Sequence, residues 1–526
     1  ADGDIRYVNV RNGDIQGDLT AGGDIGRIQG DNGTSGAITA DGDIQHLYVT
    51  GGPIGGRIEA GAASNVDGEG HIGQVFALDG QSGDIAADDG VGFVYSGSDV
   101  SGDITVTGDL NRLQLHGGGD LSGAVTVRGS DTGDGNLGSL HVFGGRVVDN
   151  GGTTGSLIDV EGNLGSMLLL GYEGAMPVLD ADLGIGGDLK MLRASGTLKG
   201  EVIAQGDIQH MGVMNGAVEG TIMAGADINY LQSNGGASGQ IIADGDIGHL
   251  RVSGGALASE VEAGAASDSD GEGHIYGIYA DNGLSGDVWA DDGITSLRSR
   301  GDVSGNITVT GNLGNMGVFG GNLSGDITVH APVTEGGNLN TLQVIDGVVT
   351  GNGAGSNALI EVDGKLGMMR LIGNGTTPTL TADVEVGRDL DLLLVSRGSV
   401  DNDHIYVGGQ TGNLQVIGGD FHSHVESENG LQSLFVIGGD VSGGPIWTGG
   451  QLGRAYVSGG DLNADVTSLG AGIEQLMVVY GQSATGDWAG GSINGDVNAG
   501  VDIGMLLARG GNVNGEVNAV VGTLRR

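Results

Sequence analysis

The sequence contains no cysteine, only five prolines, and few aromatic residues, 4% in 526 positions. Without thiols there are no disulfides and no thiolate metal sites, and the redox compartment is left open. So few rings do not describe a set of ordinary globular domains, although the length alone would suggest three or four. Basic charge is scarce as well: 21 Lys and Arg, of which only Lys190, Lys199 and Lys365 are lysines, face 66 Asp and Glu, for a formal charge of −45. No basic stripe is present to neutralise phosphates, so nucleic acid is excluded as a partner and anionic lipid is repelled. Such a surface attracts cations, calcium in particular. No apolar run is long enough to span a bilayer, which argues against membrane insertion. The N-terminal ADGDIRYV is no signal sequence, so the expectation is a mature or excised piece.

What the chain has is glycine, 114 residues of it, and a repeated phrase. Residues 42–61, GDIQHLYVTGGPIGGRIEAG, return almost word for word at 206–225 as GDIQHMGVMNGAVEGTIMAG. The phrase reads Gly-Asp-aliphatic, two variable residues, an aliphatic-x-aliphatic run, a glycine pair, then a second short alternating run. A longer repeat of about 202 residues contains it. EAGAAS at 59–64 recurs at 262–267, DVSGDITVTGDL at 99–110 becomes DVSGNITVTGNL at 302–313, and LIDVEGNLGSMLLLG at 157–171 matches LIEVDGKLGMMRLIG at 359–373. The chain therefore divides into one superrepeat at 1–202, a second at 203–400, each nine coils long, and a shorter coil section at 401–526.

Side chains on a strand alternate between faces, so apolar spacing shows which residues point inward. In residues 42–61 these are Ile44, Leu47, Val49, Ile54, Ile58 and Ala60. Spacings of two mark strands, and the odd spacings with Gly51-Gly52 mark corners. No stretch keeps a helical period. The expected fold is all-β, a single long parallel β-solenoid of about 23 coils with a basic period of 19–20 residues and almost no helix. One coil buries too little to fold alone, and stacking supplies both core and hydrogen bonds. At about 4.8 Å per coil the stack predicts a rod on the order of 110 Å long.

Insertions interrupt the coils at corners, where solenoids carry their binding functions. The best-formed is acidic. Asp268, Asp270 and Glu272 stand at i, i+2 and i+4, followed by Gly273 and Ile275; the earlier copy has Asn65, Asp67, Glu69, Gly70 and Ile72. This is similar to the first half of an EF-hand calcium loop, in which oxygens at positions 1, 3 and 5 wrap the ion and glycine at 6 makes the turn. Position 12 departs from that pattern, being Phe76 or Tyr279 where a bidentate glutamate belongs, so an ion would have to borrow Asp79 or Asp281. The competing reading is a solvated acidic turn.

A second cluster lies in 420–428, DFHSHVESE. With Phe421 and Val425 inward, His422, His424 and Glu426 project from one outer face at a spacing suited to a divalent transition metal; the alternative is an exposed polar strand. His46, His210 and His249 share a register with Tyr7, Arg27 and Tyr230, which predicts a ladder on the outer wall. The aspartate of each Gly-Asp is expected to hydrogen-bond its own turn. Calcium-binding nonapeptide repeats and threonine-column ice-binding solenoids both fail on period and spacing.

The phrasing GNLGNMGVFGGNLSGDITV at 311–329 resembles very large Gly/Asp-rich repetitive extracellular proteins of bacteria built as parallel β-helices. That resemblance covers nearly the whole chain and rests on repeat style. It implies a location outside the cell or on its surface and an adhesive, matrix or filament-forming role, and it carries over no catalytic residue. The resulting expectation is a non-enzymatic structural protein, calcium-stabilised through its acidic loops. It would associate end to end or with further repeats of the same protein, since the chain starts and stops on coils without a cap. Alternatives are a glycan-binding adhesin or fibre that meets a cell surface, and a β-helix polysaccharide lyase or hydrolase.

Overall fold

The computed structural model describes residues 3–61, 70–130, 134–149, 157–264, 273–332, 336–350 and 360–520. They are strands, isolated bridges and turns, with no helix among them. The fold is a parallel β-solenoid of about 23 coils, in two compact units, Ala1–Gly255 and Ala256–Arg526.

Within each unit a coil has three sides. The first is a strand of usually six or seven residues, such as Ile44–Val49 or Leu313–Phe319. The second is a single bridging residue: Ile15, Thr34, Ile54, Gln81, Val100 and Leu121 follow one another in a parallel ladder. The third is a short strand, such as Ile58–Ala60. All six residues expected to point inward from 42–61 are buried, none more than 3% exposed. The duplication is kept in register: Leu137–Phe143 pairs with Leu164–Leu170 in the first unit as Leu339–Ile345 pairs with Leu366–Ile372 in the second.

The corners explain the Gly-Asp motif, and here the expectation of a self-contained turn is corrected. The Asp side chain reaches the following coil. Asp24 N–H donates to Asp4 Oδ1 (3.2 Å), and Asp43 N–H to Asp24 Oδ1 (3.0 Å). Before the short strand, Asp103 N–H donates to Asp84 Oδ1 (3.0 Å), and Asp103 Oδ1 in turn accepts from Ala124 N–H (2.9 Å). Before the bridging residue, Asp120 N–H donates to Asp99 Oδ1 (2.9 Å). Any of the three sides can thus be entered through an Asp or Asn that satisfies a corner N–H one coil on, a donor that turning away from the strand would otherwise leave without a partner. Asparagine serves equally: Asn163 N–H donates to Asn136 Oδ1 at 2.8 Å. The reason for the correction is geometric. Corners stack about 4.8 Å apart, close enough for a two-atom side chain to span the gap.

Glycines at the corner before the short strand are set by close approach. A Cβ on Gly305 would collide with the Gly286 carbonyl oxygen, and one on Gly102 with that of Gly83. Behind this corner in the later coils the pattern changes. Ser399–Val407, Phe421–Ser427 and Val441–Thr448 are nine, seven and eight residues long, because bridge and short strand have fused. The matching corner positions are occupied there by Asn402 and Ser423. Asn402 is buried, and its Nδ2 donates to the carbonyls of Ala382 (2.9 Å) and His404 (3.1 Å). Register irregularities accompany the change, between Asp401 and His404 and again between Ser423 and Val425.

Candidate metal centre

The fused strands carry the densest set of metal-ligating side chains among the described residues. Phe421 and Val425 are fully buried, as expected, which turns His422, His424 and Glu426 outward. Only two of the three come together. His424 and Glu426 are joined by His404 from the preceding coil, and one ligand atom of each lies within 4.8 Å of the others. His404 and His424 are paired across the parallel ladder, their rings 4.9 Å apart. His404 Nε2 stands 3.7 Å from Glu426 Oε2. That nitrogen is itself buried and makes no hydrogen bond, although the side chain as a whole is 39% exposed. His422, by contrast, looks the other way, with Nδ1 3.1 Å from Ser442 Oγ.

Why histidines gather here follows from the corner rule. Asp383 accepts from His404 N–H at 2.9 Å, so His404 stands where the next ladder aspartate would. His424, directly before inward Val425, holds the same place one coil later. In the coil after that the position is Pro445, directly before buried Ile446, and proline has no N–H to donate. A carboxylate acceptor at 424 would therefore have nothing to accept. The ladder resumes at Asp465, which accepts from Asp496 N–H at 2.8 Å. Above the imidazoles the chain is bare: a Cβ on Gly443 would lie 2.8 Å from His422 Cγ, and one on Gly444 2.8 Å from His424 Cβ.

The electrostatics favour a neutral ring. His424 is held below the ordinary histidine range, first by burial and then by His404 beside it, with Glu426 acting in the opposite direction. Tyr406, opposite Glu385 on one side and Glu426 on the other, is pushed up by burial and by Glu428, Glu426 and Glu385. A neutral imidazole is the form that binds a metal.

The acidic-loop residues Asn65, Asp67, Glu69, Asp268, Asp270 and Glu272 lie outside the described residues. Their flanks are described. Gly70 and Gly273 have φ of 116° and 112°, and Ile72 and Ile275 are buried where their strands begin, as the first aliphatic of other coils is. Of the ligands to be borrowed, Asp281 accepts from Arg300 Nη1 at 2.8 Å. The histidine that follows each loop is held by the next coil: His71 Nδ1 is 3.3 Å from Asp89 O, and His274 Nδ1 is 3.2 Å from Asp292 O.

The outer wall has the expected ladder. Tyr7 pairs with Arg27 and Arg27 with His46, while the rings of His210 and Tyr230 stack at 4.9 Å. One column further along the strand stand Tyr48, Phe76 and Tyr95, and with His116 and Phe143, two residues further on in their coils, they form a continuous stack with centroid separations from 4.3 to 5.9 Å. The sequence pattern did not single out this stack. Trp488 stacks on Tyr480 at 5.5 Å, both well exposed. Comparison with protein-family models, curated proteins and solved structures gave no match.

Proposed function

We propose that the chain is a non-enzymatic extracellular structural protein, a β-solenoid that serves as surface or matrix scaffold and associates with further coils, its own or those of another copy. The observation that supports this reading is the use made of its acidic side chains. In a hydrolase or lyase, carboxylates converge on a cleft, as the paired acids of glycosidases do. Here the corner aspartates are committed, coil after coil, to backbone N–H groups of the next coil. The unspent outer charge suits a hydrated matrix and gives calcium a surface to bind.

Light scattering and electron microscopy of the full chain, with and without calcium, test the assembly. Filaments or higher oligomers are expected, with calcium promoting them. A chain that stays monomeric at high concentration in calcium would sink the filament version, and cleavage of an acidic polysaccharide, lost on changing one carboxylate, would overturn the non-enzymatic reading. A second reading is binding of glycans along one wall, favoured by the exposed Tyr480–Trp488 pair. Aromatic faces provide flat apolar contact with a polar rim. A glycan array separates the two, since a plain scaffold retains no glycan.

A further inference from the structure

We propose that His404, His424 and Glu426 bind a divalent transition ion, with zinc the ion they fit, and that this ion clips two neighbouring coils together. Two imidazole nitrogens and one carboxylate oxygen are a borderline-soft donor set that favours zinc or its first-row neighbours over calcium, which takes oxygen ligands. In a tetrahedral zinc site with bonds of about 2.0–2.1 Å, ligand atoms stand roughly 3.4 Å apart. The separations here, 3.7 Å for His404 Nε2 to Glu426 Oε2 and at most 4.8 Å within the set, come to that value by small side-chain rotations.

Three observations beyond proximity support the site. The His404 Nε2 atom is buried with no hydrogen-bond partner, a state that costs free energy unless the nitrogen has another use. The corner positions that carry ladder aspartates in other coils carry histidine in two successive coils, and the coil that follows has Pro445, so the side chain at 424 has no ladder donor to satisfy. The register irregularity between Asp401 and His404 brings His404 opposite His424; without it the pairing that starts at Val400 and Phe421 would set another residue there. With three protein ligands the fourth position is left for water or for a group from outside. Because His404 comes from one coil and His424 and Glu426 from the next, a bound ion joins strands otherwise held by ladder hydrogen bonds and by packing of their inward side chains. This inference stands apart from the scaffold reading.

The test is calorimetric titration of the chelator-treated full chain with Zn2+ in excess Mg2+, which occupies the scattered carboxylates. One equivalent of zinc should bind above that background. His404→Asn and His424→Asn should each weaken it by at least about tenfold, the lower bound for disturbing a metal site, while His422→Asn leaves it unchanged. Co2+ in place of zinc should give the intense visible bands of a tetrahedral ion, lost in His404→Asn. Imidazole 15N shifts of the unmodified chain provide a readout that needs no variant: zinc should move two of the 11 histidines. Equal zinc affinity in wild type and His404→Asn, loss of binding in His422→Asn, or zinc-induced shifts in none of the histidines or spread over many would each overturn the proposal.

Discussion

The corner before the short strand exists in two versions, and they differ by what stands on the outer face. In many coils of the superrepeats it is Gly followed by Asp or Asn, as at Gly102-Asp103 and Gly305-Asn306, and the acceptor oxygen is spent on the next coil. In the fused strands it is Asn402-Asp403-His404 or Ser423-His424, and the ring nitrogens are not spent in that way. One version closes a coil stack and holds nothing else. The other gives up a rung and gains an unsatisfied nitrogen beside a carboxylate. Chemistry appears where the brick departs from its own rule.

The largest effect that would break this comparison is at the glycine column. Gly305→Val drives a side chain into the Gly286 carbonyl, and a backbone neighbour does not move aside. A loss of more than about 4 kcal/mol is expected, with unfolding of the coils around it. Ser423→Ala at the matching place should cost only about 1 kcal/mol, since it removes one hydrogen bond, Ser423 Oγ to His424 O at 3.1 Å. Denaturant unfolding, read locally by amide exchange because repeat arrays need not unfold in two states, measures both. If the two substitutions cost the same, the two corner versions are not distinct.

Next in size are the ladder rungs. Asp103→Ala leaves Ala124 N–H without its acceptor and should cost about 1–3 kcal/mol, with faster exchange at that amide. Asp103→Asn should be near neutral, because Asn306 already does the same work for Asp326 N–H at 3.1 Å. A large penalty for asparagine would mean that charge, and not the acceptor oxygen, holds the rung.

A smaller and more local effect is set by pH. Asp346 is a rung used on a loop: it accepts from the N–H groups of Asn374 and Gly375, and these bonds, Gly375 first, hold its carboxyl below the usual carboxylate range. A group whose folded value is depressed contributes stability that is present above the unfolded value, 3.8, and is lost as pH falls through the folded value. The amide resonances of Asn374 and Gly375 should therefore stay fixed down to that range and shift below it; movement at higher pH would contradict the assignment. The smallest effect is expected for Asp159→Asn. It breaks the inter-coil ion pair with Arg128, whose guanidinium is held above its ordinary value chiefly by that bond. Both side chains are well exposed, so the loss should stay under about 1 kcal/mol by thermal unfolding.

The coil was legible in the sequence because strand alternation is a local property: Ile44, Leu47 and Val49 declare their face without reference to any neighbour. The corner aspartates were legible as structural, but their partner was not. Period places one aspartate over another, yet whether an oxygen turns to its own coil or the next depends on the rise between them. For the candidate site, His424 and Glu426 follow from alternation outward from Phe421 and Val425. His404 was missed since the irregularity after Asp401 shifts it off the count. A signal was present all the same: His404 and His424 are 20 residues apart, one coil period, and each directly precedes an inward aliphatic, Ile405 and Val425. The number of sides per coil was not legible, because a side one residue long has no period.

The glycine pairs that flank the acidic insertions have a further consequence. A Cβ on Gly70 would lie 2.7 Å from Gly61 Cα, and one on Gly273 2.8 Å from Gly264 Cα, so the chain that leaves each coil returns against the point of departure. The coil is thereby a closed circuit, and whatever lies between the two glycines is hung on it without altering its length. Register in the stack is insulated from that segment's sequence. Foreign peptides grafted between Gly61 and Gly70, or between Gly264 and Gly273, should be displayed with the neighbouring coils undisturbed, which makes the pairs ready-made sockets for variation.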